Sequence, residues 1–119
     1  MEIHQISFAQ IRVLRRDLAE ITVDSGVDID LNMVDEIHRY LLSLFNQSFS
    51  LLINKTNSYS TQLDALIQFG NLATLDRIAV FAPNKLAKMS ADFSATIPSS
   101  AALTIDVFTD REEALAWLN

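Results

Sequence analysis

Ser48-Phe49-Ser50-Leu51-Leu52-Ile53-Asn54 decides the fold. Phe49, Leu51, Leu52 and Ile53 make a short, nearly unbroken apolar run. That is the pattern of a strand buried on both faces, which is typical of parallel sheets. Polar residues follow at once: Asn54, Lys55, Thr56, Asn57, Ser58, then Tyr59, Ser60 and Thr61. Leu63, Leu66 and Ile67 then fall at helical spacing. A buried strand, a polar loop and a helix start form the unit on which α/β proteins usually place their sites.

Upstream of this unit, Asp30 can cap an amphipathic helix marked by Leu31, Val34, Ile37, Leu41, Leu44 and Phe45. Asp35 and Arg39 lie four apart on its outer face, acid before base. Earlier still, Phe8, Ile11, Val13 and Leu14 precede Arg15-Arg16-Asp17. Ala19, Ile21 and Val23 then alternate with Glu20, Thr22 and Asp24, the period of a half-buried antiparallel strand. Residues Ile6 to Asp24 therefore read as a hairpin. Arg12, Arg15 and Arg16 read first as edge-strand and turn solvation, with an anion or partner contact as the functional alternative.

Downstream, the spacing predicts a helix from about Thr61 to Phe69, capped by Ser60 or Thr61 and ended by Gly70. Arg77 to Ala82 is the next strand, and Pro83 stops it. Asn84 opens a helix whose inner face is expected at Leu86, Met89, Ser90, Phe93 and Ile97, with Pro98 closing it. Leu103 to Phe108 is a strand. Asp110 and Glu113 then fit a capping box before a last helix, which Trp117 is expected to anchor on the sheet. Three strand–helix–strand steps favour parallel neighbours, and the opening hairpin makes the sheet mixed. The fold class is α/β, one domain over residues 1–119.

Composition narrows the function. A chain of 119 residues, half of them hydrophobic, with only 2 Gly and 2 Pro, can form a packed core. It has no Cys, which excludes disulfides, thiolate metal sites and a cysteine nucleophile and fits a reducing compartment. A net charge of −6 argues against a nucleic-acid partner, because phosphate neutralisation needs Lys and Arg. No apolar run approaches the about 20 residues of a transmembrane helix. Met1 to Gln5 has neither the basic region nor the apolar core of a signal peptide. The expectation is a cytoplasmic protein without a transmembrane segment.

The segment Phe49 to Asn54, the strand order and the ending Val107-Phe108-Thr109-Asp110-Arg111-Glu112-Glu113-Ala114-Leu115-Ala116-Trp117-Leu118 resemble STAS-like, or SpoIIAA-like, proteins. These are bacterial domains of the anti-sigma-factor-antagonist type. The resemblance implies a small, non-enzymatic α/β module that binds a protein partner. In some members it also implies phosphorylation of a Ser in an Asp-Ser-Ser-Gly-like turn. Here the corresponding stretch is Asn57-Ser58-Tyr59-Ser60-Thr61, which keeps the hydroxyls but has neither the Asp nor the Gly. Ser58 and Ser60 are the candidate phosphorylation sites.

The residues themselves point away from catalysis. There is no Gly-rich phosphate loop, no Gly-x-Ser-x-Gly elbow and no His-Glu-x-x-His. His4 and His38 are scattered, and His38 reads as a partly covered surface residue rather than a ligand. Asp35-Glu36 and Glu112-Glu113 sit on helix faces or first turns, and Lys85 and Lys88 read as a solvated face. No catalytic residue, metal or cofactor is expected. The candidate contact residues are Lys55, Asn57, Ser58, Tyr59 and Ser60. Two readings remain. One is a regulatory module that binds a protein, which an exposed apolar patch favours. The other is a small-ligand or lipid-binding domain, or a minor enzyme, using a pocket between the sheet and its helices, which a closed apolar cavity bordered by Tyr59 and Lys55 favours.

Overall fold

The computed structural model describes residues 2–95 and 103–119, the side chains of 93–95 apart. In chain order the elements are β1 (Glu2–Gln5), β2 (Ala9–Arg15), β3 (Leu18–Val23), β4 (Asp28–Ile29), α1 (Leu31–Leu44), β5 (Phe49–Asn54), β6 (Ser60–Thr61), α2 (Leu63–Phe69), β7 (Leu75–Phe81), α3 (Lys85–Ala95), β8 (Thr104–Phe108) and α4 (Arg111–Leu118). Six strands form one mixed sheet in the order β1-β2-β3-β5-β7-β8. The β1–β2 and β2–β3 pairs are antiparallel, and β3, β5, β7 and β8 are mutually parallel. The expected hairpin plus parallel strands is therefore the architecture found.

From β3 onward each new strand is added on the same side of the last. Right-handed crossovers then place every connecting helix on one face. Val34, Ile37 and Leu41 of α1, Ala65 of α2 and Ala91 of α3 accordingly share one core with Ile21, Leu51, Ile53, Ile78 and Val80. Strand side chains alternate between faces, so Leu18, Leu52 and Ala79 point the other way. There α4 covers them with Ala114 and Leu118. This explains the apolar run of β5. From Phe49 to Ile53 every residue is at most 9% exposed, because helices lie on both faces.

Some expectations need correcting. Ahead of the expected hairpin, Glu2–Gln5 add an edge strand, β1, so the antiparallel part has three strands, and His4 Nδ1 lies 2.9 Å from the Tyr40 hydroxyl. His38 is buried, not a surface residue, with Nε2 2.9 Å from the Phe69 carbonyl. Helix α2 starts after Gln62, which makes no side-chain cap, because Ser60 and Thr61 instead pair with Asp28 and Ile29 as a two-residue ladder. The N-cap of α4 is Asp110, accepting from the Glu112 N–H at 3.4 Å, without a reciprocal Glu113 bond. On α3, Leu86, Met89 and Ser90 face outward, and the inner face is Ala87 and Ala91. This stretch carries two apolar stripes at helical spacing. The one made of small side chains lets the helix approach the sheet. Ile97, Pro98 and the Phe93 side chain lie outside the described residues.

Helix α4 is held at its C-terminal end by arginines from the sheet. Arg15 Nη2 donates to the Leu118 carbonyl and Arg77 Nη1 to the Trp117 carbonyl, each at 2.9 Å. Arg15 also bonds the Asn119 side chain and pairs with Asp17 at 2.6 Å. Its role is therefore to satisfy a helix end, which goes beyond the solvation expected of it. Trp117 does anchor α4, with its ring 5.6 Å from Phe108 and under the Arg77 guanidinium at 5.5 Å, but it is only half-buried. Trp117→Ala is expected to cost about 2–3 kcal/mol, less than the 3–5 of a fully buried aromatic. Chemical denaturation measures it, and an unchanged midpoint would show that the ring contributes nothing.

Candidate functional site

The loop from Lys55 to Ser60 leaves the carboxyl end of β5 and is stitched to the segment after β3. The Asn54 side chain accepts from the Thr56 N–H at 3.0 Å and turns the chain. The Lys55 N–H donates to the Phe81 carbonyl at 2.8 Å. Asn57 Nδ2 donates to the Val23 carbonyl at 3.0 Å. The Ser58 carbonyl accepts from the Gly26 N–H at 2.8 Å, and Gly26 reaches it with φ +81°, a left-handed turn that favours glycine. Ser60 Oγ and Gln62 Nε2 donate to the two carboxylate oxygens of Asp28 at 2.8 and 3.0 Å. Those bonds, Gln62 first, hold the Asp28 carboxyl below the usual carboxylate range.

The candidate residues therefore separate by role. Asn57 and Ser60 spend their side chains on holding the loop. Ser58 is exposed. Lys55 and Tyr59 pair with each other, the ammonium 4.0 Å from the ring centroid. Both are half-buried. Burial pushes the Lys55 ammonium below its ordinary pKa and pushes the Tyr59 hydroxyl up to about 12.

Two hollows meet at this pair. Outside is a groove of about 530 Å³ between the loop and α3, bordered by Thr56, Asn57, Ser58, Asn84, Leu86 and Met89. Inside, between the sheet and α1, α2 and α3, is an apolar cavity of about 110 Å³. Its wall includes Ile21, Ile37, Ile53, Phe69, Val80 and Ile105. Lys55 and Tyr59 line both hollows.

A second polar cluster, under α4, escaped the sequence reading. Glu20 is 4% exposed, and its carboxylate accepts from Arg111 Nη2 at 2.7 Å, Arg111 Nε at 3.3 Å and Asn54 Nδ2 at 2.9 Å. Burial pushes the Glu20 pKa up more than any single partner pushes it down. The hydrogen bonds from Arg111 and Asn54, with the charges of Arg111 and Arg12, outweigh it and hold the carboxyl below its ordinary value. Asn54 thus ties the base of the loop to this cluster. Nothing in the alternation of β3 distinguished Glu20 from an outward-facing residue. Among the described residues no group of His, Cys, Asp and Glu is arranged to hold a metal ion. No helix among them is long and apolar enough to cross a membrane.

A mixed sheet layered by helices on both faces, with its hollows and an anchored loop at the carboxyl ends of β5 and β7, defines a small α/β domain. The chain belongs to the SpoIIAA-like family, whose model matches residues 20–119. That match begins within β3 and leaves β1 and β2 outside it. No curated protein and no solved structure matches the chain significantly.

Proposed function

We propose that residues 1–119 act as one non-enzymatic, cytoplasmic protein-interaction module of the anti-sigma-factor-antagonist kind. A segment of a partner protein lies in the groove between the 55–60 loop and α3. The observation that carries this reading is the groove's composition. Leu86 and Met89 are 76% and 62% exposed beside it, large apolar side chains that a lone helix face would normally turn inward. Opposite them stand Thr56, Asn57 and Ser58. An apolar strip flanked by hydrogen-bonding groups suits a peptide, which offers side chains and backbone together. Family membership supports the same reading.

A phosphate would act differently at the two candidate serines. On Ser58 it would add about −1.5 to −2 charges at the groove and repel an acidic or apolar partner. On Ser60 it would displace the hydroxyl from the Asp28 carboxylate and set two anions together, loosening the β4–β6 ladder. The regulatory position we favour is therefore Ser58.

The test compares partner recovery from the source cell using wild type, Ser58→Glu, Leu86→Asp and a control distant from the groove, Leu42→Asp. Recovery should fall at least ten-fold for the two groove variants and stay unchanged for the control. Equal recovery from all four baits would remove the groove from any interface. The cavity bordered by Lys55 and Tyr59 supports a second reading, a small-ligand site, alongside the first.

A further inference from the structure

We propose that the cavity behind the Lys55–Tyr59 pair binds a small organic monocarboxylate, its apolar tail among Ile37, Ile53, Phe69 and Val80 and its carboxylate on the Lys55 ammonium. The proposal rests on the small-ligand reading of the cavity and names the ligand's chemistry. The wall is apolar apart from Lys55, Tyr59, Thr61 and the backbone of Gly70, so the polar end of any occupant belongs at the Lys55 side. That side faces the groove, because Lys55 and Tyr59 line both hollows. The pair therefore stands between the two hollows, where a head group can stay near water while a tail is buried.

Charge selects the head group. Arg15, Arg39, Lys88 and Arg111 each have a carboxylate partner. Among the described residues Lys55 has none, as is also true of Arg12, Arg16, Arg77 and Lys85, but of these only Lys55 lines the cavity, and its ammonium rests on the face of Tyr59. A half-buried cation without a counter-ion gains strongly from an anion. One ammonium balances one negative charge. A dianionic phosphate would bring a second charge into an apolar wall on a chain of net charge −6. Volume limits the tail. A dry cavity of roughly 150 Å³ accepts benzene, so about 110 Å³ suits a tail of about five or six carbons.

The experiment titrates the intact protein with hexanoate, 1-hexanol and hexyl phosphate, followed by methyl and amide NMR. Hexanoate should shift the Ile37, Ile53 and Val80 methyl signals and bind at least ten-fold more tightly than either of the others. In Lys55→Met, which keeps the apolar stem, hexanoate affinity should fall to that of hexanol, while Leu42→Asp, exposed and outside both hollows, should leave it unchanged. The proposal is overturned if hexanoate and hexanol bind wild type equally, even though the cavity itself then holds ligands. Absence of any methyl shift with all three probes overturns both the proposal and the small-ligand reading. The wild-type comparison decides the matter even if Lys55→Met does not fold, and the partner-docking reading is untouched by either outcome.

Discussion

Phe49→Ala is expected to destabilise the domain by about 3–5 kcal/mol, the usual cost of truncating a buried Phe. Phe49 is 1% exposed at the start of the central strand and stacks on Phe45, with ring centroids 4.7 Å apart and planes 11° from parallel. Phe45 is the residue that ends α1, so the stack joins the helix to the strand it feeds. Removing the ring takes away apolar burial and leaves a void that the flanking layers cannot close without moving α1 off β5. A small domain has roughly 5–15 kcal/mol in total, so the variant should unfold at much lower denaturant. Urea unfolding monitored through Trp117 measures this. A midpoint within experimental error of wild type would mean that the β5 core is not the centre of stability.

Arg111→Ala should cost about 2–4 kcal/mol, nearly as much, for a different reason. Breaking a buried ion pair by removing one partner typically costs about 3–5 kcal/mol, because the other charge stays buried. Here Glu20 keeps the Asn54 hydrogen bond, and Arg12 lies opposite it in the ladder, which lowers the figure. Replacing the pair together, Glu20→Leu with Arg111→Met, should recover most of the loss, since no fully buried charge is then left without a partner and Arg12 is only half-buried. The pH dependence has a defined sign. The folded-state pKa of Glu20 lies below its ordinary value of 4.5. Its contribution is therefore complete above pH 4.5 and is lost as pH falls through the lower folded value. Wild type should lose stability below about pH 4.5, and the double variant should lose less over the same range. Equal acid sensitivity of the two proteins would show that Glu20 is not a significant part of the acid response.

How much of this was legible in the sequence depended on the range of the interaction involved. The β5 run, the Asp30 cap and the Asp35–Arg39 pair are local patterns, and each is found where the spacing placed it. So are the parallel β5, β7 and β8, because strand–helix–strand alternation leaves few alternatives. The loop after β5 could be located for the same reason. Its inner workings could not. Whether Ser60 caps a helix or bonds Asp28 depends on residues far earlier in the chain, and periodicity carries no record of that pairing. The choice between the two stripes of α3 was open for a related reason: both have helical spacing, and only contact with the sheet decided that Ala87 and Ala91 lie inside.

Glu20 marks the boundary most clearly. Alternation along β3 correctly placed it on the face opposite Ile21, and one-sided burial would have left it in water. Helix α4, at the far end of the chain, returns across that face and brings Arg111 to it. A charged residue was buried because its partner came with the layer that covered it. In the same way the cavity behind Lys55 and Tyr59 exists only where three helices and the sheet meet. Strand alternation and helix periodicity in the sequence determined which residues turn toward the sheet's two faces. The tertiary structure alone decided what covers each face, which polar groups find partners there and where a hollow remains, because those outcomes arise between elements that are distant in sequence.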